Sequence, residues 1–245
     1  MNATLKKLLL YTPAAGLGIW CAVLQNRILT SGFDHKGLLI PGNPDVALLW
    51  GIVGVYLLMV LALLLRLGGN GSYEENYPSC ALSGGVMILA GLILGFTGLN
   101  GLVPGMIHSA VVTMGAAVLM MFCGGARVLG KNPTALPDLL IGSYIAWWLM
   151  TSYSGWNANP HVQKYAFHML AGVTVLLFTL HRARMAGGYP ERKRLVFFGF
   201  AGILLCFAAI PGAENGMFFI AAGLWCAGGM CDLKRLEKDQ PETEV

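Results

Sequence analysis

The 245-residue chain is 56% hydrophobic and only 11% charged, with a mean hydropathy of +0.64 and a net charge of +4. A soluble globular domain carries about 25% charged residues, so this chain has too little polar surface to coat a water-soluble particle of its size. Its basic residues lie in short segments between apolar runs and not along one face, which argues against a nucleic-acid-binding surface. The composition predicts an all-α integral membrane protein.

A helix that crosses about 30 Å of hydrocarbon needs about 20 largely apolar residues. Turn-forming clusters such as Asn132-Pro133 and Gly187-Gly188 separate the apolar runs of this chain. Eight segments qualify as spans: 8–26, 46–67, 80–99, 105–125, 137–153, 162–181, 195–213 and 216–233. We expect an eight-helix transmembrane bundle over residues 1–235 and a short charged tail over 236–245.

The first span follows a basic start at Lys6 and Lys7 and resembles a signal peptide in that respect. No small-residue cleavage site follows it, so we expect the span to be retained. The loop after it, from Thr30 to Asp45, is the longest predicted outer segment and contains Asp34 and His35. A long ordered loop is often functional, although it could equally be an ordinary surface connector.

Small residues occur at helical spacing in the third span, Gly91 with Gly95, and just before and at the start of the fourth, Gly101 with Gly105, and such residues favour close helix packing. In the fifth span, Trp147 and Trp148 lie beside Tyr144 and could line a cavity, although packing is the commoner role of large rings. Three further aromatic residues suit the interfacial belt of a membrane protein: Trp50, Tyr153 and Trp156.

Lysine and arginine mark the cytoplasmic side of a membrane protein. With the N-terminus inside, only Arg27, Lys36 and Lys164 of the 16 basic residues fall outside. We therefore expect a multi-pass protein of the cell (plasma or inner) membrane with both termini in the cytoplasm. Five basic residues in the loop after the sixth span are expected to attract anionic lipid head groups: Arg182, Arg184, Arg192, Lys193 and Arg194.

An internal repeat would divide the chain into parallel halves, residues 1–130 and 131–235, each with four helices. The motivation is the similarity of 89–96 to 200–207, each followed by an Asn-Gly step into another span. Matches of Leu, Ala and Gly also arise by chance in such a composition. Some transporters are built from parallel repeats of this kind.

The six cysteines lie inside apolar runs or at predicted cytoplasmic helix ends, so we expect all of them to be reduced. All twelve acidic residues lie in loops, at helix ends or in the tail. Asp45, Asp138 and Glu214 each precede or begin a predicted span, where a carboxylate interacts favourably with the helix N-terminus. We expect no charged side chain at mid-bilayer, which is unlike most ion-coupled pumps.

Polar side chains gather on the outer half of the predicted bundle and define the candidate ligand-binding site. Burial of a polar group in hydrocarbon costs several kcal/mol, so such groups tend to mark a cavity or a pathway. His168 is the central candidate, because it lies about two turns inside the sixth span. The full set is Asp34, His35, Asn100, His108, Trp156, His161, His168 and Glu214.

These side chains leave three functional classes open. An uncharged interior and a possible repeat favour a permease or binding protein for a small neutral or zwitterionic molecule. A non-catalytic membrane subunit of a larger complex, docked to a membrane protein partner, is the second class. A metalloenzyme or metal permease that uses the outer histidines is the third. The chain has no motif of a known membrane enzyme and no cofactor motif, so we identify no catalytic residue.

Overall fold

The computed structural model describes residues 3–34, 39–40, 42–66, 77–102, 106–157, 165–189 and 191–231, with side chains left out at 3–11, 66, 156 and 157. Eight helices occupy this part of the chain: α1 Ala3–Ser31, α2 Pro44–Arg66, α3 Ala81–Asn100, α4 Ile107–Val128, α5 Ala135–Asn157, α6 Ala166–Ala186, α7 Arg192–Ala208 and α8 Gly216–Cys231. The prediction of an all-α protein is confirmed for the described residues.

Four helices are long and apolar enough to cross a membrane: α2, α3, α4 and α6. Large apolar side chains are exposed along them, for example Leu58 on α2, Leu92 on α3 and Val118 on α4. A water-soluble monomer rarely exposes so much apolar surface, whereas lipid tails solvate it without cost. The chain is therefore a membrane protein.

The other four helices differ from these in length or in polarity. Helices α1 and α5 are 29 and 23 residues long but carry more polar side chains. Helices α7 and α8 have only 17 and 16 residues, which is about 25 Å of helix at 1.5 Å per residue. Most residues of α7 and α8 are buried against other helices, so little of their surface would face hydrocarbon.

The other helices pack around α7 and α8, and consecutive helices of the bundle run antiparallel. Helix α3 packs along α4 and α8, α6 packs along α5 and α7, and α1 packs along α7. Gly18 of α1 lies next to Leu204 of α7, and Gly212 lies next to Leu29, so α1 and α7 run in the same direction. Helices α7 and α8 each contribute more residues to the core than any other helix, and Phe200, Leu204 and Trp225 are fully buried.

The bundle has two ends, which we name by their residues. The histidine end contains His168 near the start of α6 and the turn between α7 and α8. The arginine end contains Arg127 near the end of α4 and Arg182 near the end of α6.

Helix boundaries differ from the predicted spans where local turn chemistry acts. Helix α7 ends at Ala208, five residues before the predicted end, because the chain turns through Pro211 and through Gly212 at φ +74°. Helix α1 continues to Ser31 with Pro13 inside it. After α1, Ile40 N–H donates to the carbonyl of Gly32, which brings these two described residues of the first loop together.

The predicted repeat stays a prediction, but its two halves pack differently. Helices α5–α8 pack consecutively, each along the next. In the first half, the hairpin of α1 and α2 packs mainly against α7, and the hairpin of α3 and α4 packs mainly against α8. Within the described part of the chain, α2 is not packed along α3. The second half therefore holds the two hairpins of the first half in place.

Candidate functional site

A cavity of about 290 Å³ lies at the histidine end, between α5, α6 and the turn that leads into α8. Its lining combines aromatic rings with neutral polar groups and one carboxylate. The lining residues are Trp148, Thr151, Ser152, Gly155, Tyr165, His168, Ala213, Glu214, Asn215 and Phe219. A concave site with aromatic walls and a few polar groups is the usual form of a small-molecule site.

Helix α5 supplies one side of the cavity through a single face. Trp148, Thr151, Ser152 and Gly155 are spaced at i, i+3, i+4 and i+7, which places them on one side of an α-helix. An ideal Cβ built on Gly155 would meet no atom within 4 Å, so this position leaves open space in the cavity. The hydroxyl of Thr151 donates to the carbonyls of Trp147 and Trp148 in its own helix.

Helix α6 and the start of α8 supply the buried aromatic part. His168 is 1% exposed, and its ring centroid lies 5.2 Å from that of Phe219 and 5.8 Å from that of Tyr165. Phe219 also meets Trp148 edge to face at 5.6 Å. These contacts fix the rings at the base of the cavity.

The turn between α7 and α8 supplies the polar rim. Glu214 and Asn215 are both exposed and directly precede α8, whose first turn is closed by a bond from Phe218 N–H to the Asn215 carbonyl. Glu214 therefore occupies the helix start that the sequence predicts for it. Its carboxylate carries the single formal charge among the lining residues.

The structure brings together two of the eight predicted site residues, His168 and Glu214. Asp34, Asn100 and His108 are described but do not line this cavity; Asn100 and His108 are exposed at the ends of α3 and α4. His35, His161 and the side chain of Trp156 lie outside the described residues. Trp148, which the sequence offers as a possible cavity residue, does line the cavity. The helical spacing of Thr151, Ser152 and Gly155 from Trp148 is the signal that could have identified the rest of the α5 face.

A buried polar cluster at the arginine end was missed by sequence reasoning. Arg182 of α6 and Asp138 of α5 are each 1% exposed, and Arg182 Nε lies 3.1 Å from Asp138 Oδ2. The Arg182 guanidinium also lies 4.4 Å above the centre of the Trp225 ring. The sequence predicts Arg182 in a loop, whereas it lies in α6. It predicts Asp138 at a helix start, which is correct, but the carboxylate also pairs with Arg182 inside the bundle.

Arg127 of α4 extends this cluster to α3 and α8. Its guanidinium is fully buried and donates to Ser83 Oγ at 3.2 Å, and Ser83 Oγ donates to the Gly228 carbonyl at 2.8 Å. Trp225 Nε1 donates to Thr179 Oγ1 at 3.3 Å. Five helices therefore meet at this cluster, which corrects the expectation that polar side chains gather on the outer half of the bundle.

The predicted lipid-binding residues divide into buried and exposed ones. Arg182 and Arg192 are buried, so they are not presented to head groups in this structure. Arg184 and Arg194 are exposed and lie 2.8 Å and 3.3 Å from Glu191 Oε1, while Glu191 Oε2 pairs with His181 Nδ1. Lys193 is exposed. Glu191 thereby holds together the turn between α6 and α7.

No disulfide joins any two of the six cysteines, which are Cys21, Cys80, Cys123, Cys206, Cys226 and Cys231. Four of them are buried, and Cys206 and Cys226 lie in the contact between α7 and α8. They serve as small packing residues there.

No family model matches the chain, and no similar protein is found among curated proteins or among solved structures.

Proposed function

We propose that the chain is an eight-span membrane protein that binds a small neutral or zwitterionic molecule at its histidine end and acts as a permease for it. The observation that carries the proposal is the cavity that joins His168 and Glu214. The positive-inside pattern of the sequence supports an orientation with this end outside the cell and both termini in the cytoplasm. In that orientation the cavity would receive its ligand from the external solution.

An organic ligand suits the cavity better than a metal ion. Among the described residues, no three His, Cys, Asp or Glu side chains are grouped closely enough to hold a metal. The cavity itself offers His168 and Glu214, whereas a protein metal site commonly supplies three or four ligands. The aromatic base instead provides the apolar contact area that small organic molecules need.

The arginine end would close the pathway on the cytoplasmic side. The Arg182–Asp138 pair and the Arg127–Ser83–Gly228 hydrogen bonds join α3, α4, α5, α6 and α8 there. A permease with an outward cavity needs such a closed opposite end. Anionic head groups would contact the exposed Arg184, Lys193 and Arg194 around it.

The binding test uses the purified full-length chain in lipid nanodiscs with a panel of amines, amino acids, polyols and sugars. We expect a ligand to raise the midpoint of thermal unfolding of the native chain but not of Gly155→Phe, in which the new ring fills the cavity. Gly85→Phe is the matched control, because Gly85 lies on an exposed face of α3 with no atom near its Cβ.

Transport is tested by uptake of each binding compound into proteoliposomes. We expect saturable uptake that Gly155→Phe abolishes and Gly85→Phe retains. If no compound of the panel raises the unfolding midpoint of the native chain more than that of Gly155→Phe, the proposed binding site is wrong. Binding without uptake would contradict the permease and favour a non-catalytic subunit.

A further inference from the structure

Resting on the proposed function, we infer that the ligand carries an ammonium group, held against the aromatic walls of the cavity and balanced by the Glu214 carboxylate. The zwitterion or amine is thus recognised through its positive end. The charge of the lining, the arrangement of its rings and the volume of the cavity all favour such a ligand.

The lining is complementary to positive charge. Glu214 is its one formally charged residue, and the other polar groups are the hydroxyls of Thr151 and Ser152, the amide of Asn215, the phenol of Tyr165 and the imidazole of His168. The buried arginines lie at the opposite end of the bundle. An anionic group in the cavity would therefore meet a carboxylate and no arginine or lysine of the lining.

The aromatic residues strengthen this preference. The Trp148 and Phe219 rings are nearly perpendicular, at 83°, and both line the cavity, so they form two walls that meet at an angle. Tyr165 adds a third aromatic ring to the lining. The face of an aromatic ring carries partial negative charge and attracts a cation, most strongly for Trp and in sites with little water.

The size restricts the ligand to a small molecule. A cavity of about 290 Å³ lies at the lower limit of the range of roughly 300–1,000 Å³ that holds drug-sized ligands. A methylated or primary ammonium group with a short polar chain would fit. The hydroxyls of Thr151 and Ser152 and the Asn215 amide would then contact the polar chain at the rim.

The test compares choline with 3,3-dimethylbutan-1-ol, which has nearly the same shape without the charge. Binding to the full-length chain in nanodiscs is measured by titration calorimetry or by the fluorescence of tryptophan. We expect choline to bind about tenfold more tightly than the neutral compound. Glu214→Gln should weaken choline binding by about fivefold and leave the binding of the neutral compound nearly unchanged, because the change removes only a charge. Trp148→Leu removes apolar contact area for both compounds, so we expect it to weaken both, choline by about fivefold to tenfold and the neutral compound by less, because only choline also loses the cation–π attraction.

Asp45→Asn is the matched control for Glu214→Gln. It removes one negative charge from the same end of the bundle, at the start of α2, but Asp45 pairs with Arg27 and does not line the cavity. We expect its affinity for choline to equal that of the native chain. Equal losses in Asp45→Asn and Glu214→Gln would overturn the direct role of Glu214.

The remaining outcomes separate this inference from the proposed function. If the neutral compound binds as tightly as choline and Gly155→Phe removes both, the ammonium preference is wrong and the binding site stands. If only uncharged compounds of the panel bind, the ammonium preference is also wrong, and the binding site again stands. If no compound of the panel binds, both the inference and the proposed function are wrong.

Discussion

At the scale of single residues, the Asp138–Arg182 pair is a buried ion pair on which the stability of the bundle should depend. Both side chains are 1% exposed, so their charges have lost their hydration and depend on each other and on nearby groups such as Trp225. Removal of one partner from a buried pair is far more damaging than replacement of both by apolar residues, because it leaves an uncompensated charge.

Asp138→Ala should therefore lower the free energy of unfolding by about 3–5 kcal/mol, measured by titration with SDS in mixed micelles. Asp45→Ala is the control, since its partner Arg27 has an exposed side chain, and we expect a loss of about 1 kcal/mol or less. The double change Asp138→Leu with Arg182→Met should recover most of the loss. Equal losses in Asp138→Ala and Asp45→Ala would contradict the buried pair.

At the scale of elements, the crossing of α3 and α4 depends on two facing glycines. An ideal Cβ on Gly84 would lie 2.5 Å from the Gly124 carbonyl oxygen, and one on Gly124 would lie 2.6 Å from the Gly84 carbonyl oxygen. Backbone atoms cannot move aside as a flexible side chain can, so even one methyl group must separate the two helices. Gly91, which the sequence predicts to pack closely, meets Ala117 and Met121 of α4 in the same way.

Gly84→Ala should destabilise the chain by about 1–3 kcal/mol through this overpacking. Gly85→Ala is an internal control, because Gly85 is the next residue of the same helix and has no atom near its Cβ. Replacement of a helical glycine by alanine gains up to about 1 kcal/mol in helix propensity, so Gly85→Ala should be neutral or stabilising. Thermal unfolding of both variants in detergent would reveal the difference, and a stabilising Gly84→Ala would contradict the close crossing.

At the scale of the whole molecule, the two ends of the bundle have different chemistry. Exposed neutral polar groups and a cavity occupy the histidine end, whereas buried arginines and the exposed basic residues of the α6–α7 turn occupy the arginine end. This asymmetry matches the one in the sequence, where basic residues concentrate on the predicted cytoplasmic side.

The orientation can be tested by cysteine labelling on a background that lacks the six natural cysteines. Asn100→Cys, at the exposed end of α3, should react with an impermeant maleimide in intact cells. Tyr189→Cys, in the exposed turn after α6, should react only after permeabilisation. The labelled cysteine is placed at Tyr189 and not at the neighbouring Gly188, because the φ of +92° at Gly188 disfavours any side chain. Reaction of Tyr189→Cys from outside would contradict the model in which both termini are cytoplasmic.

The sequence by itself determined the helical elements and the membrane character. Apolar runs of sufficient length and the clusters of Gly, Pro and Asn between them specify helices locally, and the described helices overlap all eight predicted segments. His168 and Glu214 could also be identified as candidates from the sequence, because a polar residue deep in an apolar segment and an acid at a helix start are visible in the sequence alone.

Only the tertiary structure decided which side chains meet. Asp138, Arg182 and Trp225 are far apart in sequence. The predicted sixth span ends at residue 181 and leaves Arg182 in a loop, whereas α6 extends to Ala186 and therefore carries Arg182 inside the bundle. The cavity depends on the rotation of α5 that turns Trp148 and Ser152 towards His168. Such rotations are set by helix packing across the whole bundle, through close approaches such as Gly84 to Gly124, and no local sequence pattern encodes them.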